Sequence, residues 1–255
     1  MAYLGKPVWF ELGTSDVDGA ADFYGKVLGW SFGGSQMPDI DYRLASRDGQ
    51  MVAGLTTQDR QPPGTPPNWL VYVASDDLDA DVAKLTAAGG TVIAGPDAVA
   101  GTGRFAVAAD PQGAVFGLLQ PDPQPDDGAW NQQKAGFGNW LELMSTDPKA
   151  GLAFYGQLFG WQPTQAMDMG DMGSYQLFSW RGTDIGGAMG LGAAPQPAWL
   201  AYFGTESVRT AIDTITGAGG KVLHGPVEVP GGAQIAVATD PQGAWFAVVG
   251  PLDAA

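Results

Sequence analysis

Two carboxylates are placed where they could move a proton: Glu11 in Val8-Trp9-Phe10-Glu11-Leu12 and Glu142 in Asn139-Trp140-Leu141-Glu142-Leu143. Each follows a tryptophan by two residues, a spacing that puts indole and carboxylate on one face of a strand. Such a carboxylate could act as a general base or accept hydrogen bonds from a ligand. The rest of the chemical repertoire is narrow. The chain has no cysteine, which excludes disulfides, thiolate catalysis and Cys-based metal sites. Its only histidine, His224, lies in the segment Val222-Leu223-His224-Gly225-Pro226 and reads as a hydrogen-bonded strand-end side chain. One histidine cannot serve two sites, so a duplicated His-dependent mechanism is not available.

The two Trp-x-Glu segments belong to a longer repeat. Asp16, Phe23-Tyr24-Gly25 and Leu28-Gly29-Trp30 return as Asp147, Phe154-Tyr155-Gly156 and Phe159-Gly160-Trp161. Further on, Trp69-Leu70-Val71-Tyr72 returns as Trp199-Leu200-Ala201-Tyr202, and Asp110-Pro111-Gln112-Gly113-Ala114 as Asp240-Pro241-Gln242-Gly243-Ala244. The copies are collinear, which predicts a first domain over 1–121, a Pro-, Asp- and Gln-rich linker over 122–134 and a second domain over 135–255.

Within one copy the alternation over 7–14 predicts a strand. Asp16 suits a helix N-cap, and Ala20, Phe23, Tyr24, Val27 and Leu28 fall on one helical face that ends at Gly29. Strands follow at 42–46 and 51–56, then a Pro-rich loop over 57–67. A strand from Trp69, a helix over 77–88 and strands near Thr91, Arg104 and Val115 complete the copy. Asp110-Pro111-Gln112-Gly113 fits a type I turn. Asp16, Asp147, Asp110 and Asp240 therefore read as cap and turn residues rather than catalysts. The fold class is α+β: four βαβββ modules, two per copy, forming two cupped mixed sheets.

The 255 residues carry 27 acidic and 12 basic side chains, a net charge of −15. That charge argues against nucleic acid or an anionic membrane surface as partner. With no signal-like or membrane-length apolar run, a cytoplasmic location is expected. Four modules could complete two cups within one chain, so a monomer is expected to suffice, with a homodimer left open.

Taken together, Asp16…Phe23-Tyr24…Leu28-Gly29 with Asp110-Pro111-Gln112-Gly113, twice over, resembles the vicinal oxygen chelate superfamily of glyoxalase I, extradiol dioxygenases and bleomycin-resistance proteins. The Trp-Phe-Glu-Leu opening is similar to a two-domain actinobacterial branch with a mycobacterial antigen and antibiotic-cluster proteins often labelled hydroxylases. The resemblance implies paired modules around a ligand cavity. It also implies, for the superfamily's enzymes, a divalent metal held by His on the first strand, His or Gln opening the second module and Glu on the last strand. Here those places align with Trp9, Trp69 and Gly117, and in the second copy with Trp140, Trp199 and Ala247. Indole is a donor only, and glycine and alanine offer no ligand atom, so no metal and no other cofactor is expected.

If Trp9 holds a ligand position, its face of the strand is the cavity face. Each cup would then be lined by two indoles, Trp9 and Trp69 or Trp140 and Trp199, with Glu11 or Glu142 and Tyr42 or Tyr175. Gly117 and Ala247 would leave room between them. A planar aromatic ligand, such as an antibiotic or other secondary metabolite, suits such walls, and the negative field favours a cationic one. The first reading is metal-independent binding for sequestration, carriage or resistance. The alternative is a metal-free tailoring enzyme, hydroxylation-assisting or cyclase-like, with Glu11 or Glu142 as acid/base. A glyoxalase I-type lyase or dioxygenase conflicts with the residues. Against all three stands plain packing: the indoles could plug the old metal site, and the acids could pair with Arg43, Arg104 or Arg181. Met167, Met169 and Met172 fall in a Gly-rich stretch, 166–173, that reads as a surface loop before it reads as a lid.

Overall fold

A computed structural model describes residues 3–34, 40–99, 101–122, 128–170 and 173–254, without the side chain of Arg60. The first copy runs β1 (Pro7–Thr14), α1 (Val17–Leu28), β2 (Ser31–Gly34), β3 (Tyr42–Arg47), β4 (Gln50–Thr57), β5 (Asn68–Ala74), α2 (Leu78–Ala87), β6 (Thr91–Val99), β7 (Gly103–Ala109) and β8 (Val115–Pro121). The second repeats it as β9 (Gly138–Met144), α3 (Pro148–Phe159), β10 (Gln162–Asp168), β11 (Ser174–Trp180), β12 (Thr183–Met189), β13 (Ala198–Gly204), α4 (Val208–Gly217), β14 (Lys221–Glu228), β15 (Gln234–Thr239) and β16 (Trp245–Gly250). Each copy forms one eight-stranded mixed sheet, ordered β2-β3-β4-β1-β5-β8-β7-β6 and β10-β11-β12-β9-β13-β16-β15-β14. The four βαβββ modules expected from the repeat are present.

The helices start and stop where local chemistry dictates. Asp16 accepts from the Gly19 amide at 2.9 Å, Asp77 from Ala80 at 3.1 Å, Asp147 from Ala150 at 3.0 Å and Ser207 from Thr210 at 3.1 Å. Each cap satisfies an amide that the first turn leaves without a partner. Gly29 ends α1 in the left-handed region at φ 67°, which an L side chain adopts only at a cost. No helix among the described residues is long and apolar enough to cross a membrane.

By contact density the chain divides into two interleaved units, one of Met1–Val8, Val71–Asp126 and Leu141–Leu200, the other of Trp9–Leu70, Asp127–Trp140 and Ala201–Ala255. Each unit therefore joins a module of one copy to a module of the other. In the Trp9-containing unit, Phe23 and Tyr24 of α1 pack edge-on against Phe246 of β16. In the other, Phe116 of β8 packs against Phe154, Tyr155 and Phe159 of α3.

Part of the expected linker, 123–127, lies outside the described residues, as does Met172. The remainder is not a bare tether. Ala129 is fully buried, Trp130 bridges to Gly138, and the Trp130 ring stacks on Phe10 at 6.4 Å. Met167 differs from expectation, since it lies in β10 opposite Tyr175 rather than in a loop. The loop reading holds at Met169, which follows the strand and is exposed.

Candidate ligand site

Strand β1 sorts its side chains by alternation. Phe10 and Leu12 are fully buried, whereas Trp9 and Glu11 are half-buried on the opposite face. On that second face Glu11 has Gly54 of β4 as its register partner, and the Tyr42 ring lies across Gly54. A side chain at Gly54 would run into the phenol, so the missing Cβ brings Tyr42 within reach of Glu11. The Tyr42 hydroxyl donates to Glu11 Oε2 at 2.8 Å and accepts from Trp9 Nε1 at 3.1 Å. Indole, phenol and carboxylate thus form one hydrogen-bonded chain, and the Trp9 ring is held by its edge.

Beside this chain, the Gln61 amide lies over Gly13 and accepts from Asn68 Nδ2 at 2.8 Å. Of the arginines considered as partners for the acids, Arg43 pairs with Asp18 and Asp41, and Arg104 with Asp79. His224 sits exposed on β14, opposite Val237.

The second copy repeats the register. Glu142 is the partner of Gly187, and the Tyr175 ring lies across that glycine as Tyr42 does across Gly54. Glu142 is 9% exposed, and Trp140, two residues earlier on β9, is half-buried.

The structure corrects the other wall. Trp69 turns to the helix side, where Nε1 donates to the Tyr24 hydroxyl at 2.9 Å and the ring meets Tyr24, Trp30 and Phe203 edge-on. Trp199 does the same, donating to Tyr155 at 2.9 Å and packing against Tyr155, Trp161 and Phe178. Neither indole shares a face with its expected partner. From Trp69 to Ala74 strand β5 is buried throughout, so its apolar pattern carries no sign of which face is which.

The space expected beside Gly117 is also taken. Tyr72, its register partner, lays its ring over that glycine. Ala247, fully buried, is the partner of Tyr202. Tyr72 was legible once Trp69 is assigned to the core, since alternation then turns Leu70 and Tyr72 the other way.

Trp69 and Trp199 instead end two buried relays. The Tyr24 hydroxyl donates to Asp240 Oδ2 at 3.0 Å, and the Tyr155 hydroxyl to Asp110 Oδ2 at 3.1 Å. The other oxygen of each aspartate holds the turn, accepting from Gln112 and Ala114 or from Gln242 and Ala244. Burial, and then the nearby carboxylate, pushes both tyrosines well above the usual phenol range. Burial likewise raises Asp240. The Asp-Pro-Gln-Gly aspartates are turn residues, as read from sequence, but each also anchors a tyrosine from the other copy. That second role had no signal in the sequence, because the partners are 216 and 45 residues apart.

The residues at the aligned ligand positions do not fit a divalent metal. Among the described residues no group of three or more His, Cys, Asp or Glu side chains is placed to hold a metal ion. On the Trp9 face the carboxylate is engaged by a phenol and flanked by a donor-only indole.

The family model for the Glyoxalase/Bleomycin resistance protein/Dioxygenase superfamily matches residues 6–118 and 139–248. The chain is 32% identical over 254 residues to a putative glyoxylase, CFP32, of Mycobacterium bovis, covering 97% of this chain and 95% of that protein. It is 33% identical over 261 residues to the anthracycline biosynthesis protein DauV of Streptomyces sp. (strain C5), covering 96% and 93%. Its fold is similar to that of homoprotocatechuate 2,3-dioxygenase from Brevibacterium fuscum, with TM-score 0.70, 15% identity and coverage of 97% and 81%. It is also similar to a Mn(II)-bound glyoxalase from Novosphingobium aromaticivorans, with TM-score 0.68, 17% identity and coverage of 98% and 83%. By the repeat, the strand order and these matches over both copies, the chain belongs to the Glyoxalase/Bleomycin resistance protein/Dioxygenase superfamily.

Proposed function

We propose that the chain binds a planar aromatic small molecule, a secondary metabolite by class, without the help of a metal ion. The sites are the strand faces that carry Trp9, Tyr42 and Glu11 in the first copy and Trp140, Tyr175 and Glu142 in the second. The observation that carries this reading is the chain Trp9–Tyr42–Glu11. It fixes an indole by its N–H, so what remains on offer is a half-buried ring face with an acceptor group beside it. Stacking on such a ring contributes on the order of 1 kcal/mol beyond burial. A pre-positioned ring loses little rotamer freedom when a ligand arrives.

With Trp69 and Trp199 in the core, each site stacks its ligand from one side rather than between two indoles. The net charge of −15 favours a ligand bearing an amine over an anionic one. Relatives named for anthracycline biosynthesis support a polycyclic aromatic class. The donor set speaks against the chemistry suggested by the name of the glyoxylase relative.

The test is calorimetric titration of chelator-treated, full-length protein with 2,6-dihydroxyanthraquinone, followed by recovery of the compound. We expect binding without added metal, recovery of unaltered ligand, and loss of one site in Trp9→Ala and of the other in Trp140→Ala. No binding, or binding that needs added Zn, Ni or Mn, contradicts the reading. A chemically altered product would move it to the tailoring-enzyme alternative, with Glu11 and Glu142 as the groups to replace first.

A further inference from the structure

The two copies are alike in their Trp, Tyr and Glu but not in what lies next to them. In the first, Gly13 and Thr56 are register partners one step beyond Glu11 and Gly54. Thr56 also pairs with Tyr42, which places its side chain on the same strand face as the phenol and Glu11. Thr56 is 4% exposed, and its hydroxyl oxygen is buried with no hydrogen-bond partner among the described residues. A buried hydroxyl left unpaired is costly, and over its register partner Gly13 lies the Gln61 amide, which accepts from Asn68.

In the second copy the same two places are Met144 and Met189, again register partners, and Met167 lies opposite Tyr175. Met144 is 7% exposed, while Met167 and Met189 are half-buried. Thioethers are polarisable, adaptable to irregular ring shapes and poor hydrogen-bond acceptors.

We propose that the two copies select different ligands. On this assignment the first site takes a planar aromatic that carries a hydroxyl or amine, recognised by Thr56 beside Glu11. The second takes an unsubstituted aromatic body against its methionines. The proposal rests on the aromatic-binding reading above and adds the residue that discriminates. A site built to hydrogen-bond a ligand group rejects the analogue lacking it, because its own polar atom is then left unpaired, whereas an apolar site discriminates weakly.

The test uses two probes, 2,6-dihydroxyanthraquinone and anthraquinone, titrated calorimetrically into the full chain. Thr56→Val, which keeps the side-chain shape, should weaken the dihydroxy probe at one site by about tenfold, the size of one such hydrogen bond, and should not weaken anthraquinone. Thr56→Ser should restore the wild-type affinity. Trp9→Ala protein, left with the second site, should prefer anthraquinone. If Thr56→Val shifts both probes alike or neither, or if the Trp9→Ala protein prefers the dihydroxy probe, the discrimination is not made by these residues. If neither probe binds the wild-type chain, the underlying aromatic-binding reading fails and takes the inference with it.

Discussion

Replacing Tyr155 by phenylalanine removes one oxygen from the centre of a buried relay and leaves the ring in place. Tyr155 is fully buried, and its hydroxyl both accepts from Trp199 Nε1 at 2.9 Å and donates to Asp110 Oδ2 at 3.1 Å. The ring contacts with Phe154, Trp161 and Trp199 survive the change, so no large cavity opens. What is lost is the partner of an indole N–H, about 1 kcal/mol, and of a carboxylate oxygen, about 2 kcal/mol, both out of reach of water. The expected destabilisation is therefore about 3 kcal/mol. Urea unfolding followed by circular dichroism should show that loss with an unchanged m-value. An Asp110→Asn/Tyr155→Phe cycle should return a coupling of about 1–2 kcal/mol. A loss below about 0.5 kcal/mol, the level of an ordinary surface change, would refute the relay as a stabilising element.

Three further outcomes follow from the same geometry. The native pKa values of Tyr24 and Tyr155 are raised above the unfolded value of about 10, so their stability contribution is fully present below that pH and is lost as pH rises through the native values. A Tyr24→Phe/Tyr155→Phe protein, though weaker at neutral pH, should lose less stability than wild type between about pH 9.5 and 11.5; an equal loss in pH-dependent urea melts would contradict the assignment. Gly54→Ala puts a Cβ where the Tyr42 phenol lies, so the ring must swing away from Glu11 at a cost of about 1–2 kcal/mol. Calorimetry should find first-copy binding of a hydroxyanthraquinone abolished, and full retention would show that the Tyr42 position is irrelevant. Asp147→Ala removes the cap on Ala150 and should cost about 1 kcal/mol in thermal unfolding; no change there would mean that the cap is replaced by water at no loss.

The repeat, the caps and the turns were legible because each depends on residues close in sequence. Asp16 with Gly19, Pro148 at the start of α3 and Asp110 with Gln112 and Ala114 are all short-range chemistry. The Trp9–Glu11 face was legible too, since β1 alternates half-buried with fully buried side chains over that stretch. Strand β5 offers no such contrast, so its pattern does not tell on which face the tryptophan near its start lies. Thr56 and Met189 lack a local signal because their place beside the acids is fixed by the parallel register of β1 with β4 and of β9 with β12, whereas Met144, two residues after Glu142 on β9, is within reach of the same alternation that pairs Trp140 with Glu142. Parallel pairing depends on a crossover through a helix, and no local pattern announces its register.

The central claim is that an aromatic ligand lies on the Trp9 indole and is held there without an intervening ion. A crystal structure of the full chain with 2,6-dihydroxyanthraquinone, collected with anomalous data for transition metals, tests it directly. The account predicts the ring system stacked on Trp9, a ligand oxygen within hydrogen-bond distance of Thr56 or Glu11, and no anomalous peak between ligand and protein. A ligand bound elsewhere on the chain, or one reaching the protein through a metal ion, would contradict it.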